Sequence, residues 1–340
     1  MAKSKQKKKR IKLISIFIAE LLILVLILIG FKVYTSMNKL NRIDQDDHLI
    51  QKNDDVEQVE GFRNIVLFGV DSRENYLKNS TRSDTIMIAS INNKTKDIKL
   101  ASVYRDTYVN IPDIGYKKIN AAYFNGGYSL ALTTINKNFD LDAREYVTVN
   151  FQAVVNVVDL LGGITLDIEE NELKYLNGYI KSLNKINGTN SEKITSAGTQ
   201  EVNGTQATAY ARIRYTAGGD FKRAERQRIV VQKIFDKAKS SSIGTINDII
   251  DEMFPQVATN LSSTELLVLA KDIFSYDIVG QEGFPFEKDA HTYKKVSLVF
   301  PIDLAANVTK LHEYLYDVKD YVPSATVKEY SDYIESIRVQ

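Results

Sequence analysis

Cysteine and tryptophan are absent from the 340 residues, and histidine occurs only as His48, His291 and His312. Without cysteine the chain has no disulfide, no thiolate nucleophile and no thiolate zinc site. The three histidines are far apart and lack ligand spacing, so neither a histidine metal centre nor a Ser/His/Asp triad has much to build on. An extracellular protein without disulfides fits a bacterial surface better than a eukaryotic secretory route.

Acidic residues are missing from the N-terminus. Seven of the 44 basic residues (Lys3, Lys5, Lys7, Lys8, Lys9, Arg10 and Lys12) fall in residues 1–12 with no acid among them, which leaves 37 basic against 43 acidic residues in the rest. A protein that coats nucleic acid is basic in its folded body. This body is mildly acidic, so no nucleic-acid partner is expected, and a local cluster of cations points instead to a small anion.

Leu13–Phe31, LISIFIAELLILVLILIGF, is a run of 19 residues whose only charge is Glu20. At 1.5 Å per residue such a helix matches the ~30 Å core of a bilayer. No small-x-small cleavage site follows it, so an uncleaved signal-anchor is expected. The leading cations place residues 1–12 in the cytoplasm and everything beyond residue 31 outside. Glu20 is costly in lipid unless protonated, paired with another helix or near the interface. Residues 32–60 are polar and acidic and read as a stalk, with the folded body over 61–340.

That body alternates between strand and helix signals. Asn64–Asp71 (NIVLFGVD), Asp84–Ile91 (DTIMIASI) and Ile98–Arg105 (IKLASVYR) are β-branched runs of strand length, the last two joined as a hairpin by polar NNKTKD. Tyr146–Asn150 and Gly162–Ile168 read as further strands and Phe151–Leu161 as a helix between them. A short helix is expected near 203–212, a long one over 221–239, others at Ile243–Met253 and Ser263–Phe274, then a strand KVSLVF and a closing helix from Ile302. The expected class is α/β, a mixed central sheet with helices on both faces, preceded by one transmembrane helix.

Charge collects where these strands begin and end. The first strand closes on Asp71 and Arg73, the second opens on Arg82 and Asp84, and the third closes on Arg105 and Asp106. If the first two run antiparallel, Asp71 comes near Asp84. Paired carboxylates with arginines beside them suit a divalent cation shared with phosphate oxygens. The bland alternative is that Asp marks turns and arginine neutralises it.

Tyr210–Val230, YARIRYTAGGDFKRAERQRIV, holds Arg212, Arg214, Lys222, Arg223, Arg226 and Arg228. Five of these six cations are arginine, whose planar fork pairs two-pronged with phosphate or carboxylate. Arg212 and Arg214 would point the same way from an extended segment. Beyond Gly218–Gly219, Asp220 could cap a helix in which Arg223, Arg226 and Gln227 share a face. Arg226 is expected to contribute less than Arg223, and Arg228, turned away, almost nothing. A solvated charged face is the alternative.

The motifs DSR, RSDT, YRDT, KINAAYFNGG, VDLLGG and NGTQATAYARIRYTAGGDFKRAERQR, in that order and strongest over residues 62–235, resemble the LytR-CpsA-Psr family. Tyr104 stands where that family commonly has proline, and Lys222 where it often has glycine. The resemblance implies a phosphotransferase outside the membrane of a Gram-positive-type bacterium, moving a glycopolymer (teichoic acid or a capsular-type polysaccharide) from a polyprenyl pyrophosphate carrier to peptidoglycan. By motif, Asp71 and Asp84 would hold Mg²⁺ (or Mn²⁺) against the pyrophosphate. Arg73, Arg82, Arg105, Arg212, Arg214, Arg223 and Gln227 would grip its oxygens, and Asp106 or Asp220 would take the proton of the attacking hydroxyl, with Arg105 among the catalytic groups. Lys118 and Asn120 could reach the substrate. The apolar helices near 128–139, 151–161 and 229–235 would enclose a tunnel for the lipid. The alternatives are a polyprenyl pyrophosphate hydrolase, a non-catalytic wall-binding module, and a membrane-bound transcriptional regulator, which twelve cytoplasmic residues hardly accommodate.

Overall fold

A computed structural model describes residues 41–42, 49–57, 59–70 and 81–339. The basic tail 1–12, the expected span Leu13–Phe31 with Glu20, and the site candidates Asp71 and Arg73 lie outside the described residues. Among the described residues no helix is long and apolar enough to cross a membrane.

Seven strands form one mixed sheet. Across it the order is Asn41–Arg42, Val257–Thr259, Glu145–Asn150, Phe62–Val70, Ser83–Asn92, Asp97–Val103 and Asp277–Phe284. Phe62–Val70 pairs antiparallel with Ser83–Asn92 and parallel with Glu145–Asn150, and Asp277–Phe284 runs parallel to Asp97–Val103. The central runs read as almost continuously apolar because both faces are covered. On one face Val66, Phe68, Ile88 and Ala101 pack against the helices Asn120–Phe139, Leu304–Tyr316 and Ala325–Arg338. On the other, Leu67, Met87 and Leu100 meet Val231 of the helix Gly219–Lys239, and Ile65 and Ile91 meet Leu266 of the helix Ser263–Lys271. This is the expected arrangement of helices on both faces of a mixed sheet.

A satellite with its own core sits beside this sandwich. The hairpin Ile164–Ile168/Gly198–Val202 packs with the helices Leu173–Asn187 and Gly204–Ala211 through Leu166, Leu176, Ile180 and Ala207. Its attachment is set by small residues. Asn150 caps the helix Phe151–Leu160 by accepting from the Ala153 amide, and Gly162 and Gly163, both at positive φ, turn the chain into the hairpin. Gly204 lies so close to the Val155 carbonyl that a Cβ there would collide with it, and its amide donates to Asp159 Oδ1 at 2.7 Å.

Three local expectations change. Residues 49–57, within the expected stalk, are built into the body: Ile50 and Val56 are buried, and Asn53 Nδ2 donates to Asp140 Oδ1 at 2.7 Å. The helix expected near 128–139 starts earlier, at Asn120, and Gly126 and Gly127 interrupt it. The region after 240 adds more than the expected helices and the strand KVSLVF, which is found as Val296–Pro301. It supplies the edge strand Asp277–Phe284 and the hairpin Lys288–Tyr293/Val296–Pro301, whose Leu298 and Phe300 join the main core.

Candidate active site at one edge of the sheet

Strand register brings the strand-end charges together. At one edge of the sheet Asn150, Val70 and Ser83 form a row, because Val70 pairs with both of the others. Asp84 and Phe151 follow directly on two members of that row. The strand Asp97–Val103 is antiparallel to Ser83–Asn92, so Arg105, two residues beyond its end, reaches the same edge. Arg105 Nη1 donates to Asp84 Oδ1 at 2.5 Å, and its Nε donates to Asp220 Oδ2 at 3.1 Å. Burial disfavours the charge on Arg105, but Asp84, Asp220 and Asp106 outweigh it and raise its pKa.

Above this edge opens a cavity of about 620 Å³ whose lining includes Arg82, Asp84, Arg105, Arg212, Arg214, Arg223 and Gln227. Every pyrophosphate-binding candidate among the described residues therefore lines one space. Five arginines face Asp84 there, with Asp220 just behind, so positive charge is in surplus. Arg214 lies 3.9 Å from both Asp84 and Asp220, too far for a hydrogen bond. Arg212 stacks its guanidinium 4.4 Å from the centroid of Phe151. Phe151, Phe124 and Tyr179 complete the wall. Sequence reasoning missed these aromatics, although Phe151 carries the same signal as the charged candidates, a position immediately after a strand end.

Arg223 is the informative member. It is 4% exposed, its Nη2 donates to Asp220 Oδ2 at 2.7 Å, and its Nε and Nη1 are buried without a hydrogen-bond partner. Burial, only partly offset by Asp220 and reinforced by Arg105 and Arg214, pulls its pKa down to about 10. It therefore stays charged near neutral pH. Two buried, unpartnered donors of a cation are costly unless an anion meets them.

The neighbouring cations differ from expectation. Arg226, expected on the same face, turns away: it is 0% exposed, and its guanidinium donates to Glu172 Oε1 at 2.6 Å, to the Ile213 carbonyl at 3.2 Å and to Thr216 Oγ1 at 2.7 Å. Arg228, expected to be turned away and to contribute almost nothing, is buried as well. The cluster is not a solvated face. Arg212 and Arg214 do reach one cavity with Ile213 buried between them, but from a non-strand connection between two helices. Asp220 does not cap the following helix. Gly218, in the left-handed region, occupies the cap, and Asp220 lies in the first turn, where an acid complements the helix dipole.

Asp106 lies apart from the arginine cavity. Lys118 Nζ is 3.0 Å from its Oδ1 and Arg105 Nε is 3.9 Å away. Lys118 and Asn120 line a second groove. Tyr104 packs edge-on against Phe221 at 4.6 Å and over Gly283, where a Cβ would strike its hydroxyl. Lys222 pairs with Glu225 at 2.9 Å on the surface. Neither departure from the family pattern reaches the lining of the arginine cavity.

An apolar cavity of about 200 Å³ adjoins the arginines and shares Phe151 and Gln227 with them. It lies between the sheet (Leu67, Met87, Val147, Val149) and the helices that carry Val154, Ala211, Val230 and Ile234. Of the helices expected to enclose a tunnel, those at 151–161 and 229–235 line it. The helix at 128–139 instead packs core on the opposite face.

Sequence and structure comparisons converge on one group of proteins. A teichoic acid transferase TagT of Bacillus subtilis, named as polyisoprenyl-teichoic acid–peptidoglycan teichoic acid transferase, is 29% identical over 86% of this chain and 92% of its own length. An Enterococcus faecalis TagU of the same description is 30% identical over 84% of this chain and 92% of its own length. The solved structure of TagT bound to LIIa-WTA superposes with a TM-score of 0.64 at 25% identity, covering 81% of this chain and 98% of that one. A further TagT structure, with bound octaprenyl pyrophosphate lipid, shares the fold at a TM-score of 0.59 and 24% identity over 80% of this chain and 99% of that one. The profile of the LytR_cpsA_psr family matches residues 27–302, and the chain belongs to that family.

Proposed function

We propose that this protein is a membrane-anchored phosphotransferase that moves a glycopolymer, a teichoic acid or a capsular-type polysaccharide, from polyprenyl pyrophosphate to peptidoglycan. One observation carries the reading. Arg223, buried and with Nε and Nη1 unpartnered, lines a cavity together with four more arginines, and that cavity adjoins an apolar one. A ligand with a diphosphate head and a hydrocarbon tail satisfies both at once. The relatives named as teichoic acid transferases support it.

In the reaction an acceptor hydroxyl oxygen attacks the glycan-bearing phosphorus. The bond from that phosphorus to the bridging oxygen breaks, polyprenyl phosphate leaves, and the hydroxyl proton passes to a carboxylate. Such transfer needs alignment and charge neutralisation more than covalent help. Arg82, Arg105, Arg212, Arg214 and Arg223 supply the neutralisation, and Gln227 sits where head and tail cavities meet. Asp220 is held by Arg105 and Arg223. Asp106, held by Lys118, is the other candidate proton acceptor.

Mg²⁺ or Mn²⁺ fits the donor set only in part. Among the described residues no three acids or histidines form a metal cluster. Asp84 keeps Oδ2 clear of a hydrogen bond with Arg214 while Oδ1 is taken by Arg105. One or two carboxylates with phosphate oxygens completing the shell is the habit of Mg²⁺, and Asp71 would be the second. Bound there, the ion would offset charge on the pyrophosphate. The seven leading cations and the run Leu13–Phe31 support the anchored topology, with the catalytic body outside.

The test is the full-length chain in detergent, given a lipid-linked glycan with and without a soluble peptidoglycan fragment. Polyprenyl phosphate release that depends on the fragment, is lost in chelator and is lost in Asp84→Ala is the expected result. Equal release without the fragment would make the protein a hydrolase, and no release at all would leave only a binding module.

A further inference from the structure

Next to the arginine cavity, and sharing Arg82 with it, lies a groove of about 450 Å³. It is walled by two hairpins, Tyr108–Ile111/Gly115–Lys118 and Lys288–Tyr293/Val296–Pro301, and by the start of the helix at Asn120. Tyr108, Tyr116 and Tyr293 line it together with Arg82, Lys117, Lys118 and Lys294, and no carboxylate is in the lining. Tyr116 and Tyr293, both half-buried, stand beside the exposed Lys117 and Lys294, a pairing that suits sugar rings carrying carboxylates: the aromatic surface meets the sugars, and the two lysines take the acids.

The groove also sits where a second substrate must approach. It meets the arginine cavity at Arg82, whereas the apolar cavity meets it at Phe151. These two residues adjoin Ser83 and Asn150, which pair with Val70 from either side. The two openings are therefore two strand spacings apart, about 10 Å. In-line displacement places the attacking oxygen opposite the leaving group. With the lipid leaving by way of Phe151, the attack comes from the side of Arg82. Asp106 lines neither space but pairs with a lining residue of each, 3.0 Å from Lys118 of the groove and 3.9 Å from Arg105 of the cavity.

We infer that this groove binds the acceptor, a glycan strand bearing carboxylate groups, and presents its hydroxyl to the arginine cavity at Arg82. The assignment rests on the transferase reading but is tested by binding alone. The probes are a soluble uncrosslinked peptidoglycan fragment, the same glycan stripped of its peptide stems, and geranylgeranyl pyrophosphate, each titrated onto the full-length chain in detergent. Lys117→Glu combined with Lys294→Glu reverses two exposed charges without touching the core, and Tyr293→Ala removes a ring.

Both variants should weaken binding of the intact fragment about tenfold or more, leave geranylgeranyl pyrophosphate binding unchanged, and the charge reversal should matter less for the stripped glycan. Unchanged fragment affinity in both variants would overturn the groove while leaving the transferase reading intact. Weaker binding of a lipid-linked glycan donor, with fragment affinity kept, would assign the groove to the donor's polymer and also overturn the proposal. Should the wild type bind the fragment in this groove and yet transfer nothing, the reading of the reaction fails and the groove assignment stands.

Discussion

Arg223 and Arg226 lie one turn apart on the same helix and are both buried, yet their surroundings are opposite. Arg226 donates to a carboxylate, a carbonyl and a hydroxyl, and it is closed off completely. Arg223 donates to Asp220 and leaves two nitrogens without a partner in the wall of a cavity. A buried ion pair whose donors are all met holds structure together. A buried cation whose donors are not met costs the free protein stability, and a ligand of opposite charge recovers it. One helix thus ties the satellite to the sandwich with one side and lines the arginine cavity with the other.

The largest expected effect breaks the structural side. Arg226→Ala strands the Glu172 carboxylate, which is 1% exposed, and should cost about 3–5 kcal/mol in unfolding free energy. Denaturant melts would show it, and a loss below 1 kcal/mol would mean that water reaches Glu172. Arg223→Lys should do the reverse, leaving the melt where it was or raising it slightly. Losing charged hydrogen bonds of about 1.5–3 kcal/mol each should weaken geranylgeranyl pyrophosphate binding about ten- to hundredfold. If Arg223→Lys instead destabilises the fold as Arg226→Ala does, the contrast between the two arginines disappears. The smallest effect belongs to Lys222, whose surface pair with Glu225 is worth about 0.3–0.5 kcal/mol. Lys222→Ala should leave both melt and binding near wild type, and a large change in binding would move the edge of the site onto the outer face of this helix.

The same contrast shows what could be read from residues in order and what could not. The central strands were legible because two covered faces leave unbroken β-branched runs, and the helix at Ile243–Met253 falls where its spacing places it. The edge strand Asp277–Phe284 (DIVGQEGF) was not. It is only partly buried and contains two glycines, so its apolar pattern is faint. The helix Leu173–Asn187 is rich in asparagine and is held by Leu176, Ile180 and Leu183 packing into the satellite core rather than by propensity. In the site, converging strand ends assembled Arg82, Asp84 and Arg105 correctly because antiparallel pairing follows from the hairpin. Helical spacing could only place Arg226 and Gln227 on either side of Arg223. Which side meets the cavity is decided by Glu172, 54 residues away in sequence.

The helix that begins at Asn120 carries a further consequence. Beyond its break, Ala131, Leu132, Ile135 and Phe139 are locked in the main core. Before it, Phe124 lines the arginine cavity and Asn120 the neighbouring groove. The two parts are joined through Gly126 and Gly127, and Gly127 has φ of 62° and ψ of −155°, a conformation reserved for glycine. The front turn is thus a short lever on a two-residue hinge. Rotation there would shift the wall shared by both spaces while the anchored rear of the helix stayed in register with the sheet.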